Sequence, residues 1–108
     1  MSRYFFSAQA KQDLKQIVDR IARDNPTAAR RLAAEIKRKA KATADFPEMG
    51  HSYASLLPHL RGFFVGDYVV FYFPKPNSIQ VIRVLSGYRD LEAIFLDDDE
   101  SNLDRPSP

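Results

Sequence analysis

One stretch, Leu60 to Asp90 (LRGFFVGDYVVFYFPKPNSIQVIRVLSGYRD), limits what this chain can become, because it alone carries the pattern of a sheet. Val, Ile, Phe and Tyr dominate it, side chains that suit a pleated, half-buried surface. Two turn signals divide it into three runs. Gly66-Asp67, between Val65 and Tyr68, fits a two-residue type II′ turn whose first position takes a positive φ that glycine adopts at little cost. Leu60 to Val65 is therefore expected to pair antiparallel with Tyr68 to Phe73. The two prolines of Pro74-Lys75-Pro76-Asn77-Ser78 cannot donate to a ladder, which predicts a loop returning the chain into Ile79 to Leu85.

Upstream, the period changes. Arg3 to Phe6 is a short aromatic run, and Ser7 is a good N-cap before apolar residues spaced at 3.6: Ala10, Leu14, Ile17, Val18 and Ile21. Lys11, Asp13, Lys15, Asp19, Arg20 and Arg23 fall on the polar side of the same segment. A strand feeding a helix from about Ala8 to Asp24 is the reading. Asn25-Pro26 stops that helix and starts another, with Asn as cap and Pro at the first position. The second helix, about Pro26 to Asp45, has a stripe of mainly small residues (Ala29, Leu32, Ala33, Ile36, Ala40, Ala44) fit for close packing. Its other face is crowded with Arg30, Arg31, Lys37, Arg38, Lys39 and Lys41, a solvated face, a protein-docking surface or a nucleic-acid footprint. Leu56 and Leu57, in the connector His51 to His59, are expected to plug the gap between this helix and the sheet. The fold class is α+β, β-α-α-β-β-β, an antiparallel sheet with a helical hairpin on one side.

At 108 residues the chain is one domain with one core, read as residues 1–96 followed by a flexible acidic tail, 97–108. Residues 1 to 93 hold 15 Lys+Arg against 9 Asp+Glu, net +6, and the remainder holds 1 against 5, net −4. A basic globule of this kind suits an acidic protein or a nucleic acid as partner. With no cysteine there is neither a disulfide framework nor a thiolate, as in a reducing cytoplasm. His51 and His59 have no carboxylate cluster near them in sequence, so no metal or other cofactor is expected. No apolar run is long enough for a signal peptide or a membrane span.

The order Leu60-Arg61, Tyr68-Val69-Val70-Phe71-Tyr72, Ile82-Arg83-Val84-Leu85 and Gly87-Tyr88-Arg89-Asp90 resembles the ParE branch of the RelE/ParE toxin superfamily of bacterial toxin–antitoxin systems. The resemblance extends upstream through Asn25-Pro26-Thr27-Ala28-Ala29 and Phe46-Pro47-Glu48-Met49-Gly50, about residues 3 to 95 in all. It implies a cytoplasmic toxin, of the kind associated with plasmid stabilisation, that inhibits DNA gyrase by binding and is neutralised by a ParD-like antitoxin in a hetero-oligomer. Neither a catalytic residue nor direct sequence-specific nucleic-acid binding is expected on this reading.

RNA-cleaving relatives of the RelE type resemble one another in placing lysines on the strand that carries Arg61 and an arginine after the tyrosine of the next strand. The matching positions here are Leu57, His59 and Val69, of which only His59 titrates usefully. An mRNA endoribonuclease, whose pentacovalent phosphate needs cations and an acid–base pair, is thus the alternative rather than the leading reading. A non-toxic basic binding module is the third.

Target contact is assigned to Arg61, Arg83, Tyr88 and Arg89, since Tyr and Arg commonly dominate interface energies. Antitoxin contact is assigned to Arg30, Arg31 and Lys37 on the outer face of the hairpin, together with an exposed sheet edge. Arg83 is the unusual member, a charge inside an apolar strand. If Ile82 and Val84 face the core, alternation puts Arg83 on the open face of the sheet or in a buried ion pair, with Asp67 or Asp90 as candidate partners.

Overall fold

The computed structural model describes residues 2–87 and 91–100. Its elements are β1 (Arg3–Phe6), α1 (Ala8–Ala22), α2 (Pro26–Asp45), β2 (His51–Ser52), β3 (Arg61–Val65), β4 (Tyr68–Lys75), β5 (Ser78–Ser86) and α3 (Leu91–Glu100). The strands form one sheet in the order β1-β5-β4-β3-β2. β3 to β5 are joined antiparallel, as expected; the two-residue β2 adds a fifth strand from the stretch read as a connector, and β1 lies parallel to β5, Tyr4 opposite Ile79 and Phe6 opposite Val81. A parallel neighbour needs a long crossover, and the chain from Ser7 to Asn77 supplies one.

Both helices begin where the sequence places them. Ser7 Oγ accepts from Ala10 N at 3.0 Å, and Asn25 Oδ1 accepts from Ala28 N at 3.0 Å with Pro26 in the first turn. Gly66 has φ 58 and opens the two-residue turn between the paired Val65 and Tyr68.

The second hairpin is tighter than its prolines suggest. Pro74 is a strand residue opposite Ile79, and only Pro76-Asn77 turns, with Asn77 at φ 54. Pro at the first and Asn at the second central position match a type II turn. A proline fits in β4 there because β3 ends opposite Tyr72, leaving β5 as the only neighbouring strand among the described residues.

The sheet is buried on both faces, and here the structure departs from the expected one-sided arrangement. Val65, Val70, Tyr72, Ile79, Val81 and Val84 pack against Ala10, Ile17, Ile36, Ala40 and Ala44 of the two helices. Val69, Phe71, Phe73, Ile82 and Leu85 point the other way and are covered by Leu57, Leu60 and Phe95. Leu57 and Leu56 therefore belong to the far side of the sheet rather than to the gap beside α2. Phe95 meets Phe71 edge to face, ring centroids 4.8 Å apart, so α3 packs by an apolar side. That helix continues to Glu100, past the position where the acidic tail is expected to start.

A bulge in β5 changes the alternation. Phe71 pairs with Arg83 but Tyr72 pairs with Val81, leaving Ile82 extra. Ile82 and Val84 consequently enter opposite clusters instead of sharing one. Arg83 reaches α1, where its Nε donates to Asp13 Oδ2 at 2.8 Å and its Nη2 to Oδ1 at 3.1 Å. Asp13 is 6% exposed and Arg83 8%.

Removing either partner strands the other charge in the core, so Asp13→Leu and Arg83→Leu are each expected to cost about 3–5 kcal/mol in urea unfolding. The Asp13→Leu/Arg83→Met pair should recover most of that loss. Single variants costing under about 1 kcal/mol would show that the pair is solvated, contrary to the geometry.

Candidate functional site

Two surface features stand out, at opposite ends of the sheet. The first lies beside β1. Tyr4, Phe5 and Phe6, with Leu14 and Val18 of α1 and Ala33 of α2, line an open apolar groove of about 590 Å³. Lys11, Lys15, Asp19 and Lys37 stand on its rim, where Lys15 Nζ is paired with Asp19 Oδ2 at 2.6 Å, so that Lys11 and Lys37 carry its net positive charge. Phe5 is 53% exposed, and β1 is the last strand on this side of the sheet among the described residues. An apolar floor, a cationic rim and an unpaired strand edge together fit an amphipathic segment with acidic flanks.

At the other end, the loop after α2 is held by buried polar groups. Tyr72 Oη accepts from Gly50 N at 3.0 Å and donates to Pro47 O at 2.8 Å. Arg61 Nη1 donates to Gly50 O at 2.6 Å, and its Nε lies 3.1 Å from Glu48 Oε2. Gly50 sits so close to the Tyr72 phenol that a Cβ would overlap Oη. Burial pushes the Tyr72 phenol above its ordinary pKa, opposed by the Gly50 N–H bond and the Arg61 charge and reinforced by Glu48.

Of the residues read as target contacts, the structure describes Arg61 and Arg83, and each has an internal partner. Arg61 is committed to the Glu48–Gly50 loop and Arg83 to Asp13, while Tyr88 and Arg89 lie outside the described residues, as does Asp90, one proposed partner of Arg83. Of the residues read as antitoxin contacts, Lys37 lines the groove. Arg30 and Arg31 are exposed on α2 outside that lining, Arg30 bonding Thr27 Oγ1 at 3.4 Å. Leu57 and Val69, where RNA-cleaving relatives carry cations, are buried in the far-side cluster, and His59 is exposed at φ 68.

Asp13 is the residue that sequence reasoning missed, having been placed among the polar positions of α1. A signal was present. Asp13 lies three residues after Ala10 and four before Ile17, inside the apolar stripe, and a lone arginine in a buried strand requires a carboxylate. Tyr68 was noted, but its partner was not: Arg20 Nη2 donates to Tyr68 Oη at 3.1 Å.

The domain is thus α+β, a helical hairpin on one face of a mixed five-stranded sheet with an apolar groove at the β1 edge. A family comparison matches residues 4–91 to the ParE toxin of type II toxin–antitoxin systems, parDE, and the chain belongs to that family. Toxin RelE2 of Caulobacter vibrioides is 30% identical over 89 residues, covering 82% of this chain and 99% of the relative. Among solved structures, the chromosomal ParDE toxin–antitoxin system from P. aeruginosa has a similar chain, with a TM-score of 0.65 at 21% identity over 80% of this chain and 95% of that one.

Gly50→Ala is expected to destabilise the fold by about 1–3 kcal/mol, because the phenol or the loop must move. Tyr72 also makes stability depend on alkaline pH. Its folded pKa is raised, so its contribution is complete below the ordinary tyrosine value of 10.0 and declines as pH rises through the folded value. Thermal melts above about pH 10 should therefore fall more steeply for the parent than for Tyr72→Phe. Parallel curves would rule out Tyr72 as the group responsible.

Proposed function

We propose that this ParE-family toxin acts by binding DNA gyrase, without a reaction of its own, and is held inactive by a ParD-like antitoxin. The observation that carries the first half is the burial of Leu57 and Val69. Phosphate chemistry on RNA requires cations around the developing charge, each commonly worth a hundredfold or more, and both positions are instead apolar core. His59 alone, exposed on the connector, offers an acid or a base without electrostatic partners at these two sites. The name of the RelE2 relative keeps transcript cleavage in view as the second reading.

For the antitoxin, the groove between β1, α1 and α2 supports the reading. A segment of the antitoxin would lay an apolar face over Leu14, Val18 and Phe5 and place its carboxylates near Lys11 and Lys37, Lys15 being already paired with Asp19. Ordering a flexible segment on a preformed groove is a familiar route to tight, reversible inhibition. The target surface is proposed at the end of β5, around Ser86-Gly87 and the following Tyr88 and Arg89. This reading puts the toxin in the cytoplasm with gyrase.

Supercoiling and cleavage-complex assays with purified gyrase test the first half; the expected outcome is a block by the free toxin, relieved by antitoxin. Site-specific cuts in ribosome-bound message, lost in His59→Ala, would move the protein to the nuclease reading. For the groove, Leu14→Asp and Val18→Asp should each weaken antitoxin binding by at least about tenfold, and Lys37→Glu by several-fold. Undiminished affinity in all three variants would place the antitoxin elsewhere.

A further inference from the structure

A second concavity, of about 100 Å³, lies on the other flank of α1, between that helix and the end of β5. Gln16, Arg20, Tyr68 and Ser86 line it, with Asp13 at its inner end. At 100° per residue, Asp13, Gln16 and Arg20 project on the side of α1 opposite Lys11, Lys15 and Val18 of the apolar groove. An occupant of the groove therefore leaves this hollow open.

Its chemistry is that of an anion acceptor. Tyr68 Oη accepts the Arg20 bond, which leaves the phenolic hydrogen to donate, and Arg20 retains further N–H donors beyond the one spent on Tyr68. Gln16 adds a side-chain amide at the mouth. The carboxylate at the inner end does not cancel this. Asp13 already accepts from Gln9 Nε2 at 3.0 Å, from Arg83 Nε at 2.8 Å and Nη2 at 3.1 Å, and from Val84 N at 3.0 Å. Its charge is matched by Arg83, so Arg20 is the uncompensated charge among the lining residues.

We propose that this hollow is a socket for the carboxylate of an Asp or Glu side chain on a protein partner, bound by Arg20 and Tyr68. One net positive charge suits a monoanion. The volume admits the tip of an acidic side chain but not a phosphodiester flanked by two sugars. Because the socket and the groove sit on opposite flanks of α1, the partner is the toxin's target and not the antitoxin, an assignment that rests on the toxin reading above. Tyr68 and Arg20 are then binding residues that specify an acidic anchor on that target.

The isolated chemistry is tested by titrating the full-length, 15N-labelled protein with sodium acetate against sodium chloride at matched ionic strength, with sodium phosphate as a third series. Saturable shifts of the Arg20 Nε–Hε and Gln16 side-chain amide signals are expected with acetate only. The acetate midpoint should rise roughly tenfold in Arg20→Gln and by a smaller factor in Tyr68→Phe, which removes only the hydroxyl and leaves the ring in the core. Equal shifts with chloride, or tighter binding of phosphate, would overturn the socket. In cells, both variants should lose most growth inhibition while binding antitoxin with the parent's affinity. Full growth inhibition would overturn the assignment of the socket to the target, and weakened antitoxin binding would transfer it to the antitoxin. A parent toxin that arrests growth without blocking gyrase would sink the gyrase reading alone, since neither arm of this test uses gyrase.

Discussion

The buried Asp13–Arg83 contact is the constraint on which the arrangement of this fold depends. β1 covers the edge of β5 only as far as Val81, and among the described residues no strand lies beside the last residues of β5 on that side. Ser7 and Asp13 take its place. Ser7 N donates to Val81 O at 2.9 Å, Ser7 Oγ donates to Ile82 O at 3.2 Å, and Asp13 Oδ2 accepts from Val84 N at 3.0 Å. Backbone groups that would otherwise be buried without partners are satisfied by the start of α1, which fixes where the helix crosses the sheet. Two desolvated charges add little net stability, because their attraction is largely offset by the cost of taking them out of water. What they contribute is position.

That position explains why the helix can serve two surfaces. Ala10 and Ile17 bury one side of α1 against the sheet, and Asp13 locks it there. The flanks on either side of that buried line are then held in fixed relation to β1 and to the end of β5. One flank forms the apolar groove and the other the polar hollow. A helix held only by small apolar contacts could slide or rotate by part of a turn with little penalty; three bonds from β5 converging on one carboxylate forbid it.

Much of the fold was legible in the sequence because local chemistry and global structure agree. The Gly66 turn, the Ser7 and Asn25 caps, the two amphipathic helices and the three long strands all follow from residue type and period. The errors fall where one residue answers to a distant partner. Pro74 looked like a loop residue, since nothing local reveals that β3 stops short and leaves it beside an empty edge. Ile82 looked like a core neighbour of Val84, because a bulge cannot be read from a run of β-branched residues. The parallel docking of β1 and the covering of the far sheet face by Leu57, Leu60 and Phe95 are likewise long-range facts. For the site the sequence did less. Lys37 lines the groove, Arg83 takes the buried ion pair that was one of its two expected placements, Arg61 is held by Glu48 and Gly50 O, and Asp13, set aside as surface, is the buried partner.

Arginines in this chain thus divide by what already occupies them. Arg83 is consumed by Asp13, Arg61 by Glu48 and Gly50 O, and Arg38 by Glu35, whose carboxyl is held below its usual range by that guanidinium. A guanidinium matched by a carboxylate offers a partner protein little, since binding there must first compensate the charge it displaces. Arg20 differs: its side chain bonds a phenol that keeps a hydrogen of its own to donate. The combination of a cation and a polarised hydroxyl beside a carboxylate already saturated by four donors is what turns a shallow gap between a helix and a strand end into a place with a preferred ligand.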